Sequence, residues 1–213
     1  SANPVSAYWL IFYVPAILLL IWSALDFFLV KDTPEEAGLN EFHTHDASHG
    51  GAHDALITWL SVIKMVFTNK IIIMIGIIEF TSGILRDGVM KWYRLYAKET
   101  GLGLENVMAN WGLWAAATGI LGAFLAGWAS DKFFHSRRAP VAGIAQAVMF
   151  IAAIAMLLAV FTNSPVVMGV GALIIMMAVI GVHSIMSGTA TADFGGRKAA
   201  ATATGVADGF SKL

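Results

Sequence analysis

Long apolar runs alternate with short polar segments along most of the chain. Because a membrane-spanning helix needs about 20 mostly apolar residues, five of the runs predict complete spans and a sixth predicts the start of another. The predicted spans are Tyr8–Val30, Ile71–Tyr93, Val107–Ser130, Val141–Phe161 and Val166–Met186, and the sixth begins at Ala199. The pattern therefore predicts an all-α bundle of membrane helices.

The segment between the first two spans has a different character. Residues 31–54 are mostly polar, and residues 55–67 form a short amphipathic stretch that ends at Thr68-Asn69-Lys70. A stretch of this length is typical of a helix lying in the membrane interface rather than crossing it. Residues 31–69 therefore form the one candidate boundary between domains, with 1–30 before it and 70–213 after it.

The composition agrees with a membrane protein. Hydrophobic residues make up 58% of the chain and charged residues 13%, whereas soluble proteins carry about 25% charged residues. This deficit excludes a cytosolic enzyme, a secreted disulfide scaffold and a nucleic-acid-binding protein. The net charge of −1 and the absence of cysteine leave histidine and carboxylate groups as the strong candidate metal ligands.

The basic residues outside the apolar runs predict the orientation, since lysine and arginine are retained on the cytoplasmic side. These lysines and arginines fall into two sets, which lie at opposite ends of the predicted spans. The larger set, which predicts the cytoplasmic face and places loop 31–69 there, is Lys31, Lys64, Lys70, Lys132, Arg137, Arg138, Arg197 and Lys198. The smaller set, on the outer face, is Lys91, Arg94 and Lys98.

The second predicted span is unusual because it contains Glu79, Arg86, Asp87 and Lys91. An ionisable group in a span costs about 2.5 to 3.5 kcal/mol, so it indicates a polar cavity or a partner. Glu79 and Arg86 share a helix face, whereas Asp87 and Lys91 point in different directions from Arg86, so the four cannot all form one local pair. We single out Arg86, because guanidinium matches phosphate or carboxylate oxygens.

Two alternatives to a ligand-binding role remain for Arg86. In the first, it pairs with an acid on a neighbouring helix. In the second, the span is shorter than drawn and Arg86 lies near the outer interface. Gly83 and Gly88 flank it, and such small residues allow the close approach of a helix or a ligand. This flanking pair favours a binding role.

Other ionisable groups in the spans are candidates for proton coupling. Glu79 is deep enough either to couple protons or to form a salt bridge. His183 is either a proton acceptor, since imidazole titrates near neutral pH, or a hydrogen-bonded structural residue. Asp208 and Lys212 are spaced i,i+4, which predicts a neutralised pair that a charged substrate could open.

A histidine-rich segment lies in the polar loop, with His43, His45, His49 and His53. The spacing suggests a divalent metal or a pH sensor, but this Gly- and Ser-containing loop lacks the rigid framework that sets tetrahedral geometry. We favour a solvated linker and predict neither a metal nor a cofactor.

The segment after the third span resembles a known loop. It contains Gly127, Asp131, Lys132, Arg137 and Arg138 within the sequence GWASDKFFHSRR. This sequence resembles the G-x-x-S-D-K-x-F-x-G-R-R loop of the major facilitator superfamily, with Ser136 in place of the usual glycine. The resemblance implies that the acid accepts hydrogen bonds from a neighbouring helix and that the basic residues hold the cytoplasmic helix ends together.

Three further stretches resemble one family within that superfamily, the organophosphate:phosphate antiporters. Residues 31–39, KDTPEEAGL, are similar to the segment after helix six, and residues 85–92, LRDGVMKW, to the helix-seven motif LRxGxxxW. Residues 197–205, RKAAATATG, resemble the start of helix eleven. The chain would then be a fragment covering helices six to eleven.

The resemblance assigns roles to the three parts and to several residues. Residues 1–30 would be the last helix of an N-terminal half, 31–69 the cytoplasmic loop between halves, and 70–213 most of the C-terminal half. Arg86 falls on the arginine that binds the substrate phosphate together with a helix-one arginine. Asp208-Gly209 resembles a helix-eleven segment of hexose-phosphate members whose acid pairs with a lysine, here Lys212 one position further along.

The implied function is a non-enzymatic carrier, monomeric in the lipid bilayer of the inner (plasma) membrane, without nucleic-acid partners. It would exchange an organic phosphate, a sugar phosphate or glycerol-3-phosphate, for inorganic phosphate. Two alternatives remain open: a transporter-like receptor that senses external sugar phosphate, and a proton-coupled carrier of another organic anion that uses Glu79 or His183.

Overall fold

The computed structural model describes residues 4–31, 37, 38, 64 and 67–212. The chain divides into two units, Ser1–Thr44 and His45–Leu213, and each is described by itself. Within the described ranges the structure is helical throughout, apart from short turns. The α-helices are α1 (Pro4–Leu29), α2 (Lys70–Asp87), α3 (Tyr93–Thr100), α4 (Glu105–Ala109), α5 (Trp111–Phe134), α6 (Arg138–Thr162), α7 (Pro165–His183) and α8 (Thr191–Phe210).

The first unit contains the single long helix α1. It has 26 residues and is therefore about 39 Å long, more than the hydrocarbon core of a bilayer requires. Its side chains from Trp9 to Leu29 are exposed apolar groups for the most part. The first predicted span is confirmed as a helix.

Four helices have the length and composition to cross a membrane within the described part of the chain. They are Trp9–Leu29, Trp111–Phe134, Arg138–Thr162 and Pro165–Gly188, and they confirm the first, third, fourth and fifth predicted spans. The second predicted span is also helical, but its charged residues set it apart from these four. Its helix passes through a π-helical turn, Gly88–Trp92, continues beyond the predicted end at Tyr93 and ends at Thr100.

Helix α7 lies at the centre of the second unit and packs against α5, α6 and α2. Its buried residues are apolar and many are small, among them Gly171, Ala172 and Ala178. Because lipid is as apolar as leucine, close van der Waals packing through small residues holds such helices together. Helices α5 and α7 approach each other closely at Gly122 and Gly181, where a Cβ would meet backbone atoms of the other helix.

The last part of the chain folds back on itself. Helix α7 leads through a second π-helical turn, Ser184–Ala190, into α8, and yet the hydroxyls of Thr191 and Thr204 lie 2.8 Å apart. Thirteen residues of straight helix would span about 20 Å, so the chain must reverse between these two threonines. The reversal brings α8 against α2.

The fifth span ends later than predicted. Helical conformation continues past Met186 through the π-helical turn and into α8, and the chain reverses between Thr191 and Thr204, the range that contains the predicted start of the sixth segment at Ala199. Polar and small residues that suggested a loop lie in this π turn, where their backbone groups form hydrogen bonds within the helix.

The loop between α5 and α6 is held by a small polar network. The Arg138 Nη1 donates to Ser130 Oγ at 3.0 Å and to Asp131 Oδ1 at 3.1 Å. Ser136 adopts a left-handed conformation with φ of 63°, where the related motif has glycine, and its hydroxyl donates to Asp131 Oδ1 at 3.0 Å. Asp131 therefore links the end of α5 to the start of α6 through side chains.

Two predictions concern residues that the structure does not describe. The interfacial helix over 55–67 lies almost wholly outside the described residues. His43, His45, His49 and His53 lie entirely outside them. The division into parts 1–30, 31–69 and 70–213 as half-domains stays a prediction.

Candidate functional site

A buried stripe along α2 carries the site. The helix begins after Asn69, whose side chain accepts a hydrogen bond from the Ile71 N–H. From there, buried positions recur every three or four residues, the spacing of one helix face. The stripe changes from apolar to polar along the helix and consists of Ile72, Ile75, Glu79, Ser82 and Arg86.

Arg86 lies at the polar end of this stripe and is only 6% exposed. Its Nη2 donates to the backbone carbonyl of Ser211 at 3.0 Å, and its Nε lies 3.4 Å from Asp87 Oδ1. A guanidinium has five N–H bonds, and only these two contacts occupy them among the described residues. Three N–H bonds thus have no partner among the described residues.

Asp87 connects Arg86 to a second cation. One carboxylate oxygen faces Arg86 Nε, and the other accepts from the Lys91 ammonium. The two oxygens of this one carboxylate serve partners that point in different directions, and Glu79 is not part of the group. Asp87 offsets part of the positive charge of Arg86 without using all its donors.

The structure bears on one of the two alternatives for Arg86. Within the described ranges, its acidic partner is its own neighbour Asp87 and not an acid on another helix. The alternative that Arg86 lies near the outer interface stays a prediction.

Glu79 and His183, predicted separately, are in contact. Glu79 Oε2 lies 2.8 Å from His183 Nδ1, although the two residues are far apart in sequence. Glu79 is 1% exposed, and its Oε1 has no hydrogen-bond partner among the residues that the structure describes. The contact joins the middle of α2 to the end of α7, directly before the second π turn.

Asp208 on α8 completes this group. Its Oδ1 lies 3.6 Å from His183 Nε2 and accepts from the Ser211 hydroxyl at 3.3 Å. The predicted pair with Lys212 is not formed in the described part of the chain. Because α8 ends at Phe210, Lys212 lies in the turn beyond it, and i,i+4 helix geometry does not apply.

The sequence did not single out three polar residues of the candidate site, which are Ser82, Gln146 and Ser211. Ser211 contacts both Arg86 and Asp208. The Gln146 amide on α6 donates to Ser82 Oγ at 2.9 Å. Gln146 had a detectable signal, since it is a lone amide in an otherwise apolar span. Ser211 had none, because its contribution to Arg86 is a backbone carbonyl.

Gly83 lets α2 approach the end of α8. A Cβ at this position would lie 2.2 Å from the Ser211 carbonyl oxygen, the same atom that Arg86 contacts. We expect Gly83→Ala to push Ser211 away and to weaken binding of an anion at Arg86 by roughly tenfold, the size of one charge-assisted hydrogen bond.

Gly88→Ala is the matched control, because a Cβ there meets nothing within 4 Å. Equilibrium binding of labelled phosphate to the purified full-length protein would compare the two variants. Equal affinity in both would show that the Ser211 contact does not support Arg86.

The described residues hold no group of three or more His, Cys, Asp or Glu side chains arranged for a metal ion. The arrangement suits reversible binding instead, with a buried guanidinium, a buried carboxylate and an imidazole around one helix crossing.

Four long apolar helices and this buried polar site define a multi-pass membrane protein. The chain belongs to the major facilitator superfamily, since the sequence profile of that family, Major Facilitator Superfamily, matches residues 4–213.

The chain resembles several curated proteins. It is 32% identical over 209 residues to a glycerol-3-phosphate transporter of Bacillus subtilis (strain 168). The matched residues make up 95% of the chain and 46% of that transporter. It is 27% identical over 152 residues to a phosphoglycerate transporter protein of Salmonella typhimurium, covering 66% of the chain and 32% of that protein. It is 35% identical over 83 residues to the membrane sensor protein UhpC of Escherichia coli (strain K12), covering 37% and 18%.

These relatives confirm the predicted resemblance to the organophosphate:phosphate antiporters. The chain covers less than half the length of each of the three. No solved structure matches that of the chain.

Proposed function

We propose that the full-length protein exchanges an organic phosphate ester for inorganic phosphate across the inner (plasma) membrane. The observation that carries this proposal is Arg86, a buried guanidinium with three N–H bonds free of partners among the described residues. Planar N–H pairs match two phosphate oxygens, and the match is stronger in a low-dielectric site. Two relatives are named for glycerol-3-phosphate and phosphoglycerate, both phosphate esters.

The substrate would lie between Arg86 and groups supplied from outside this chain. The family resemblance assigns one of those groups to a helix-one arginine. In this chain, Asp208 and Lys212 are proposed to contact the organic part of the ester, because they flank Ser211 next to Arg86. The Lys212 ammonium has no ion-pair partner within the described ranges and is available to an anion.

Exchange would follow from the electrostatics of this site. An empty site keeps buried positive charge that Asp87 offsets only in part, and closing the carrier around it removes the remaining water. A bound phosphate supplies the missing negative charge, so the occupied carrier closes more easily than the empty one. The protein, as a monomer, would then alternate between inward and outward openings mainly when loaded.

Counterflow tests this proposal. The full-length protein is placed in liposomes preloaded with inorganic phosphate, and uptake of labelled phosphate and labelled glycerol-3-phosphate is followed. We expect uptake to be several-fold faster than into liposomes without internal phosphate. Uptake that does not depend on internal phosphate would contradict obligatory exchange.

A membrane receptor for external sugar phosphate is the second candidate. Two relatives are membrane sensor proteins, 34% and 35% identical over 79 and 83 residues. The same residues could bind phosphate in a receptor and in a carrier. Specific phosphate binding without counterflow in the same preparation would favour the receptor.

A further inference from the structure

Three titratable groups from three helices meet in one line. Glu79 comes from α2, His183 from the end of α7 and Asp208 from α8. The imidazole lies between the two carboxylates, with Nδ1 2.8 Å from Glu79 Oε2 and Nε2 3.6 Å from Asp208 Oδ1. Both ring nitrogens therefore face a carboxylate oxygen.

A neutral imidazole cannot satisfy both contacts. It has one N–H donor and one lone pair, so one nitrogen must direct its lone pair at a carboxylate. A proton bound to that nitrogen changes a repulsive contact into an ion pair, with a hydrogen bond to Glu79 at 2.8 Å and a longer electrostatic contact to Asp208 at 3.6 Å.

Only one oxygen of the Glu79 carboxylate has a hydrogen-bond partner in the described part of the chain. The other, Oε1, is buried without one there, and Glu79 is 1% exposed. Burying an unpaired charged oxygen is unfavourable, and a proton on Oε1 would remove that charge. The geometry thus offers two neighbouring acceptors, Glu79 Oε1 and the His183 ring, for one proton.

The other polar groups around the line do not replace this proton. On α2, Arg86 contacts Ser211 and Asp87, and Ser82 contacts Gln146 of α6. In the second π turn, the Ser187 hydroxyl lies 3.4 Å from His183 Nδ1 but donates to the His183 carbonyl at 2.8 Å. On α8, Ser211 donates to Asp208. Within the described ranges, no lysine or arginine contacts Glu79.

We propose that Glu79 and His183 form a proton-binding site that fills together with the phosphate site at Arg86. The two sites are joined by Asp208 and Ser211, since Ser211 contacts Arg86 through its carbonyl and Asp208 through its hydroxyl. This inference rests on the proposed function, because the anion at Arg86 is what links the two events.

The linkage has a definite sign. Glu79 and Arg86 are two helical turns apart, about 10 Å along the axis, and charges at this distance interact in a low-dielectric interior. An anion bound at Arg86 makes the Glu79–His183–Asp208 line more negative and so raises its affinity for a proton. By reciprocity, the proton raises the affinity of Arg86 for the anion by the same factor.

Proton uptake on binding tests the proposal directly. At pH 8 a phosphate ester is already a dianion, since its second ionisation lies near pH 6, so any proton taken up must bind to the protein. Glycerol-3-phosphate is added to the purified full-length protein in weakly buffered detergent at pH 8, and a pH-indicator dye counts the protons removed from solution. We expect uptake approaching about one proton per bound anion.

Three variants locate the proton. Glu79→Gln and His183→Gln keep hydrogen-bonding groups of similar size but should lower uptake per bound anion at least threefold. His135→Gln is the matched control, because His135 is exposed in the α5–α6 turn, and should behave as the wild type. Unchanged uptake in both Glu79→Gln and His183→Gln would overturn the assignment.

The number of protons that the wild-type protein takes up per bound anion tests the proton site without any variant. Binding of glycerol-3-phosphate with no proton uptake would overturn the proton site and leave the proposed function intact. Absence of binding of both glycerol-3-phosphate and inorganic phosphate would overturn the proposed function and this inference with it.

Discussion

Replacing Arg86 by lysine is expected to slow phosphate exchange by at least about 100-fold, although the positive charge is kept. Lysine is a point charge on a flexible stem and cannot contact Ser211, Asp87 and two phosphate oxygens together. A 100-fold loss corresponds to about 2.7 kcal/mol, the size of one or two hydrogen bonds to a charged group. Exchange of labelled phosphate in liposomes measures the effect.

Arg94→Lys is the matched control for that substitution. Arg94 is an exposed arginine on α3, outside the buried stripe of α2, and its replacement should leave exchange within about twofold, a fraction of a kcal/mol. If Arg86→Lys exchanged phosphate as fast as Arg94→Lys, planar recognition at Arg86 would be the wrong explanation for binding.

Gly122→Ala is expected to cause the largest loss of stability in the second unit. A Cβ on Gly122 would lie 1.9 Å from the carbonyl oxygen of Met177 and 2.7 Å from its carbonyl carbon. These are backbone atoms of the central helix α7, so no side chain can move aside and the two helices must separate. Overpacking of this kind costs about 1 to 3 kcal/mol or more.

Gly112→Ala on the same helix is the control, because a Cβ at Gly112 meets nothing within 4 Å. Alanine there should be neutral or stabilise by about 0.5 to 1 kcal/mol, since glycine weakens a helix. Thermal unfolding of the full-length protein in detergent compares the two. A Gly122→Ala variant as stable as Gly112→Ala would contradict the close packing of α5 and α7.

Apolar runs were sufficient to predict most of the fold. A span has to be long and apolar whatever surrounds it, so α1, α5, α6 and α7 could be located from local sequence alone. The end of α7 could not, because a π turn keeps polar and small residues helical where their composition indicates a loop.

The sequence singles out the residues of the candidate site, whereas it does not predict their contacts. Glu79, Arg86 and His183 are conspicuous because charged and titratable groups in apolar helices need a reason to be there. Their partners depend on how α2, α7 and α8 pack, and no local pattern encodes the contact of Glu79 with His183. Lys212 illustrates the same limit, since its spacing from Asp208 has meaning only while the helix continues.

The central claim is that Arg86 binds the phosphate group of the substrate. Equilibrium binding of labelled glycerol-3-phosphate to the purified full-length protein, with inorganic phosphate as competitor, tests it most directly. The account predicts saturable binding that inorganic phosphate displaces and that Arg86→Ala abolishes in a protein with normal thermal stability. Binding that survives Arg86→Ala with unchanged affinity would contradict it.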